Sequence, residues 1–170
     1  AVTVNYLASQ TEFRFRQDLT WDNRHSLAAE SAETVRVAGR KSPIGDKQNR
    51  NWVRALVLSD NFSEGDAGLR SQLIKLLEAY KLEASNTGSE WFNILQVSNG
   101  LNQELLSEVA ARHGPPGRNI GLILTCGTRA KFVTLAELVD SNATKVASFR
   151  GEEAVTSALL EVTEDRPAVC

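Results

Sequence analysis

Residues 53–58 read Val-Arg-Ala-Leu-Val-Leu, and residues 91–97 read Trp-Phe-Asn-Ile-Leu-Gln-Val. Both runs are short and apolar, as is typical of strands buried in a sheet. Between them, leucines recur at helical spacing from Ala67 to about Glu83 and predict an amphipathic helix. Since strand, helix and strand in this order are the unit from which parallel sheets are built, the stretch predicts an α/β fold.

The same alternation continues to residue 163. The patterns predict a helix over 100–112, an apolar strand over 120–125, a capping box at Thr134 and Glu137 that starts a short helix, a strand over 145–149 and a helix over 151–163. In this interpretation the successive strands are parallel and helices cover the sheet.

The chain before residue 60 has a different pattern, in which apolar and polar residues alternate with a period of two. Such alternation predicts strands over 2–6, 13–15 and 34–39, with a short helix over 26–33 before the last of them. The predicted fold is therefore α/β, with α+β as the alternative: mostly antiparallel N-terminal strands joined to a helix-covered, partly parallel sheet. We expect a single domain over 1–170, with a β-rich portion 1–60, an alternating portion 61–163 and a tail 164–170.

Length and composition set broad limits on the class of protein. The chain has 170 residues, 42% of them hydrophobic and 24% charged, which is ordinary for a folded domain and argues against wholesale disorder. No apolar run approaches the roughly 18–20 residues that a membrane span needs. Two cysteines cannot form a disulfide scaffold, and the N-terminus shows no signal-peptide pattern. We therefore expect a cytoplasmic setting.

Charge is unevenly distributed along the chain. The net charge is -2, but residues 36–54 contribute +5 and the remainder −7. The acidic residues between 151 and 165 have no Lys or Arg among them. Such asymmetry suits an anionic partner or a head-to-tail contact between copies of the chain, and it is equally compatible with a solvated loop and a solvated helix face.

The basic segment is the principal candidate for an anion or nucleic-acid site. If the strands on either side of it pair, its cations converge near Trp52, which could stack a base unless it packs in the core. The candidate residues are Arg36, Arg40, Lys41, Lys47, Arg50 and Arg54. The layout of the first sixty residues resembles that of single-stranded RNA phage coat proteins, whose sheet faces the genome, although the α/β continuation departs from that family. The predicted function is a non-catalytic assembly or binding protein, a possible homo-oligomer that contacts RNA, in the cytoplasm or in a virus particle.

The alternative is a small hydrolase-like enzyme. Ligands of parallel sheets bind beyond the carboxyl ends of the strands, and this rule predicts a crevice that joins Asp60, Ser98 and Cys126. The residues after Cys126, Gly127-Thr128-Arg129, could meet an anion at the same tip.

Within this alternative, Cys126 is a candidate nucleophile with His113 as its base. The segments Ala-Arg-His113-Gly and Thr-Cys126-Gly resemble the His-Gly and strand-end Cys of caspase-like peptidases. In that family the two residues sit at the tips of different strands, whereas here His113 ends a predicted helix and is expected at the opposite edge of the sheet from Cys126.

No cofactor or metal is predicted. The chain has no glycine-rich dinucleotide fingerprint, no phosphate-loop motif and no Gly-x-Ser-x-Gly elbow. Its two histidines and two distant cysteines lack the close ligand pairs that zinc requires.

Overall fold

The computed structural model describes residues 16–17, 25–41, 52–87, 90–140 and 148–164. Its centre is a mixed four-stranded sheet in the order β4-β3-β5-β6. The four strands are β3 (Val53–Leu58), β4 (Phe92–Val97), β5 (Ile120–Cys126) and β6 (Arg129–Thr134). Strands β3 and β4 are parallel, and the other two pairings are antiparallel. The α/β class predicted from the sequence is confirmed.

Helices cover both faces of this sheet. On one face lie α1 (Ala29–Lys41), α2 (Ala67–Ser85) and α4 (Gly151–Thr163), whose buried residues join one core with Val53, Ala55 and Val57. On the other face lies α3 (Gln103–His113), which packs on Leu56 and Leu58. Successive residues of a strand point to opposite faces, so the apolar run of β3 is buried on both sides.

The direction of β5 corrects the prediction of parallel strands. The carboxyl end of α3 lies beside Arg54 at the start of β3, whereas Pro116 and Arg118 lie beside Asp60, beyond the end of β3. The chain after α3 therefore runs back along the helix before β5 begins. Residues 114–118 can span roughly 17 Å when extended, which matches the rise of about 16 Å along the 11-residue helix α3. The two prolines of this connection cannot continue a helix, and β5 consequently starts at the end of the sheet where β4 stops.

The strand predicted over 34–39 is wrong, since these residues belong to α1. Ser31, Val35 and Ala38 are buried at spacings of four and three, which is the helical repeat. Val37, which alternation placed on the same face as Val35, is 36% exposed. Tertiary packing against α2 and α4 favours the helical period over the two-residue period.

Shorter elements complete the described chain. Two-residue strands β1 (Arg16–Gln17) and β2 (His25–Ser26) pair with each other, as do β7 (Val139–Asp140) and β8 (Ser148–Phe149). The predicted capping box is confirmed: the Thr134 side chain accepts from the Glu137 backbone N–H at 3.2 Å and starts a 3-10 turn. The strands predicted over 2–6 and 13–15 lie outside the described residues.

A buried polar network joins the three helices on the first face. The Tyr80 hydroxyl of α2 lies 3.1 Å from the Glu152 carbonyl oxygen and 2.5 Å from Thr156 Oγ1, both on α4. Thr156 in turn donates to Ser31 Oγ of α1 at 3.0 Å. Burial raises the pKa of the Tyr80 phenol far above its ordinary value, and the hydrogen bond with Thr156 opposes that rise.

Over the residues described, no helix combines the length and the apolar character that crossing a bilayer would require.

Candidate functional site

The described arginines of the predicted basic segment, Arg36, Arg40 and Arg54, do not lie on one face. Arg36 lies on α1, where its Nε donates to Glu83 Oε1 at 2.9 Å and its Nη1 lies 3.6 Å from Glu33 Oε2. Arg40 lies 4.0 Å from the other oxygen of Glu33. These cations face carboxylates of their own chain, which lowers their attraction for an external anion.

The rest of the segment divides between the two sheet faces and the residues outside the described ranges. Lys41 ends α1, and its side chain is not described; Lys47 and Arg50 lie in 42–51, outside the described residues. Arg54 lies on β3 and points to the α3 face of the sheet, away from the layer that contains α1. The expected convergence of Arg36, Arg40 and Arg54 is wrong, because it assumed that 34–39 is a strand paired with 53–58.

Trp52 packs in the core. It is half-buried, and its ring meets the ring of Trp91 edge-on with centroids 6.0 Å apart. Of the two roles that the sequence allowed for Trp52, base stacking and packing, the structure shows packing against the core.

Arg54 has other cationic neighbours, which the sequence did not group with it. A cavity of about 40 Å³ at the start of β3 is lined by Arg54, by Arg112 and His113 at the end of α3, and by Arg129 at the start of β6. We call it the arginine cavity. Three chain segments that are far apart in sequence bring these groups together, and among the lining residues that the structure describes Glu108 is the one carboxylate.

The partners of the four side chains differ. Arg112 Nη2 lies 3.2 Å from Glu108 Oε1, one turn earlier on α3. Arg129 donates to the backbone carbonyl of Glu164. The His113 ring meets Phe132 edge-on with centroids 6.5 Å apart.

Arg54 is distinctive in this group. It is half-buried, and within 52–87, 90–140 and 148–164 no carboxylate forms an ion pair with its guanidinium. A partly desolvated guanidinium is stabilised by an anion, and its planar fork fits phosphate or carboxylate. The described lining of the cavity is therefore positively charged overall, and the Arg54 guanidinium can donate hydrogen bonds to an anion.

The turn beside the cavity has glycine at the position that requires it. Gly127 has φ 60°, a conformation that favours glycine, and it opens the tight turn between β5 and β6. This turn places Gly127 and Arg129 on the cavity wall. The sequence prediction that the 127–129 tip could meet an anion agrees with this placement and remains untested.

The predicted enzyme crevice is not formed as a unit. Asp60 and Ser98 do lie together beyond the carboxyl ends of β3 and β4, where Asp60 Oδ2 accepts the Asn99 backbone N–H at 2.7 Å. Cys126 is paired with Val53 at the opposite end of β3, roughly 17 Å away at about 3.3 Å per residue. A single crevice with Asp60, Ser98 and Cys126 is therefore wrong, because β5 is antiparallel to β3.

The cysteine–histidine interpretation fails for a different reason. His113 and Cys126 lie at the same end of the sheet, not at opposite edges as expected. Cys126, however, is 8% exposed and belongs to the core under α1, α2 and α4, whereas His113 packs on Phe132 on the α3 face. The sheet separates the imidazole from the thiol.

The acidic C-terminal stretch is also engaged within the chain. Glu161 Oε2 lies 3.1 Å from Lys131 Nζ, and Glu153 Oε2 lies 2.6 Å from Arg150 Nη2. Glu152 is buried, and its Oε1 accepts the Ala28 backbone N–H at 2.7 Å. These carboxylates do not form the free acidic face that a head-to-tail contact would use.

Among the described residues, no group of three or more His, Cys, Asp or Glu side chains could hold a metal ion. Comparison of the chain with protein-family models, curated proteins and solved structures gave no match.

The sequence pattern identified Arg54 and Arg129 as anion-binding candidates and His113 only as a partner of Cys126, and it did not single out Arg112. The signal of Arg112 and His113 was present as an Arg-His pair at the end of a helix, followed by a Gly-Pro-Pro-Gly connection. These two residues lie beside Arg54 because α3 runs back toward the start of β3, a direction that the sequence pattern alone does not show.

Proposed function

We propose that this chain is a non-catalytic binding protein that holds a phosphate group of an anionic partner in the arginine cavity, with RNA as that partner. The observation that carries the proposal is the half-buried Arg54 guanidinium, which no carboxylate of the described residues pairs and which two further arginines and His113 surround.

The dimensions of the cavity favour a phosphate over a base. A volume of about 40 Å³ holds roughly three water-sized groups, which is enough for the two non-bridging oxygens of a backbone phosphate and too little for a base. Arginine forks bind phosphate oxygens in pairs and read no sequence. The proposed binding is therefore independent of RNA sequence and sensitive to salt. RNA is also the polyanion present in the two predicted settings, a cytoplasm or a virus particle.

The homo-oligomer predicted from the sequence is part of the proposal, with RNA as the link between its copies. Since Glu152, Glu153 and Glu161 of the acidic stretch already have partners within the chain, we propose that copies assemble along one RNA and not through direct charge contacts. Mass measurement of the purified protein with and without nuclease tests this point. A large species that nuclease converts to single chains is expected, whereas an oligomer unchanged by nuclease would contradict RNA-borne assembly.

Salt-dependent binding of a fluorescein-labelled 20-nucleotide oligouridine tests the site itself. For single strands the logarithm of affinity falls with the logarithm of salt by about 0.7 per neutralised phosphate, so three arginines predict a slope of about −2. The double variant R54Q/R112Q should bind more weakly, with a slope nearer −0.7 if Arg129 alone remains.

A matched control is available on α1. The variant R36Q/R40Q also removes two positive charges, but from α1, which lies on the face of the sheet opposite the arginine cavity. It should keep the wild-type slope. The proposal fails if R54Q/R112Q keeps that slope as well, or if both variants lose affinity equally.

A further inference from the structure

A second cleft lies at the other end of the sheet, beyond the carboxyl ends of the parallel strands β3 and β4. Its volume is about 590 Å³, within the range of about 300–1,000 Å³ that is usual for small-molecule sites. The carboxyl ends of parallel strands are also where open α/β sheets bind ligands. We call it the Asp60 cleft.

The floor of the Asp60 cleft is apolar. Its apolar lining residues are Leu58, Val97, Leu106 and Pro116, of which Leu58 and Val97 at the strand ends are only 4% and 2% exposed. Leu106 and Pro116 are half-buried and offer the apolar surface that a hydrocarbon group can cover.

The rim contains one negative and one positive side chain. Asp60 and Arg118 both line the cleft and are exposed, and neither forms an ion pair with any of the described residues. Opposite charges that share a cleft without pairing can each bind the complementary charge of one ligand. A carboxylate takes an ammonium group, and a guanidinium takes a carboxylate.

Hydrogen bonds fix the backbone around both charges. The Asn99 backbone N–H donates to Asp60 Oδ2 at 2.7 Å and orients that carboxylate. The Asn61 side-chain amide donates to the carbonyls of Gly117 and Ile120 at 3.2 Å and 2.7 Å, which holds the segment with Arg118 against β3. The Asp60 carboxylate, held in this way, loses little freedom when a ligand binds.

From this arrangement we infer that the Asp60 cleft binds a free α-amino acid with an aliphatic side chain. Asp60 takes the ammonium, Arg118 takes the carboxylate, and the aliphatic group covers the floor. The site lies at the opposite end of β3 from the arginine cavity, so its test is independent of RNA binding.

Amide NMR titration of the full chain with three probes tests the inference. L-Leucine carries both charges, 3-methylbutylamine only the ammonium, and 4-methylpentanoate only the carboxylate. Leucine should produce saturable shifts at Asn99 and Arg118 and bind more tightly than either half-probe.

Charge-removing variants assign the two ends of the ligand. Asp60→Asn keeps an acceptor for Asn99 and should weaken leucine and the amine by about tenfold, leaving the carboxylate probe unchanged. Arg118→Gln should weaken leucine and the carboxylate probe, leaving the amine unchanged. Glu64→Gln and Arg70→Gln, at exposed positions outside the cleft lining, are the matched controls and should bind as wild type.

Two results would overturn the inference. One is the absence of a saturable shift with L-leucine up to its solubility limit. The other is an equal effect of Asp60→Asn on all three probes, which would indicate a general disturbance of the cleft.

Discussion

The Tyr80 hydroxyl is a point at which one atom's contribution to stability can be estimated and measured. The side chain is 0% exposed and its hydroxyl meets two groups of α4, of which Thr156 continues the network to Ser31 on α1. Tyr80→Phe keeps the ring and deletes one donor. A hydrogen bond contributes about 0.5–1.5 kcal/mol net, and leaving a buried acceptor unsatisfied costs about 1–3 kcal/mol.

We therefore expect Tyr80→Phe to lower the free energy of unfolding by about 1–2 kcal/mol. Because Thr156 can still donate to Ser31, only part of the network is lost. For a chain of this size the loss corresponds to roughly 2–8 °C in Tm. Urea unfolding followed by far-ultraviolet circular dichroism gives the free energy directly.

Ser85→Ala is the matched control for the Tyr80 variant. It also deletes a bonded hydroxyl, but Ser85 is exposed and bonds only the Lys81 carbonyl of its own helix, at 2.9 Å. Its effect should stay within about 0.5 kcal/mol. If Tyr80→Phe costs no more than Ser85→Ala, the reasoning about the buried network is refuted.

Three further predictions concern the core. Since burial raises the pKa of Tyr80, its protonated phenol should contribute fully to the free energy of unfolding below about pH 10, and this contribution should be lost as the pH rises further. The free energy of unfolding should therefore fall above about pH 10 in wild type and fall less steeply in Tyr80→Phe. Parallel curves for the two proteins would contradict this prediction. In a Cys170→Ser variant, the thiol of Cys126 should react with a disulfide reagent only as fast as the protein unfolds, because it is 8% exposed, so rapid reaction in the native state would show an accessible thiol. Gly121→Ala should destabilise by up to about 1 kcal/mol, because its Cβ would lie 2.7 Å from Leu135 Cδ2 and 3.1 Å from Phe62 Cζ and both half-buried side chains would have to shift. Gly68→Ala, with nothing within 4 Å, should be neutral or stabilising in thermal unfolding.

The elements that the sequence predicted well are those whose pattern depends on local chemistry. The leucine repeat of α2 and the apolar run of β5 each indicate burial without reference to the rest of the fold. The capping box at Thr134 needs only its neighbour three residues later. The final helix begins and ends where its apolar stripe does, at Gly151 and Thr163.

The failures have tertiary causes. Val35 fits both periods, with Val37 in a strand and with Ser31 and Ala38 in a helix, and packing against α2 and α4 decides that α1 is a helix. The direction of β5 depends on how far the chain travels after His113, which alternation of elements does not encode. That direction separates Cys126 from Asp60 and brings Arg129 to Arg54. The direction of β5 therefore displaced the predicted enzyme crevice, whereas the helix at 34–39 displaced the predicted basic face.

The proposed function requires that Arg54, and not the arginines of α1, binds the phosphate of the partner. The side-chain Nε–Hε resonances of the arginines report this directly in a heteronuclear NMR titration with the 20-nucleotide oligouridine. Assignment by the single variants R54Q, R112Q, R36Q and R40Q identifies each resonance. We expect the signals of Arg54 and Arg112 to move on addition of RNA while those of Arg36 and Arg40 stay in place. Movement confined to Arg36 and Arg40, or of no arginine at all, would contradict it.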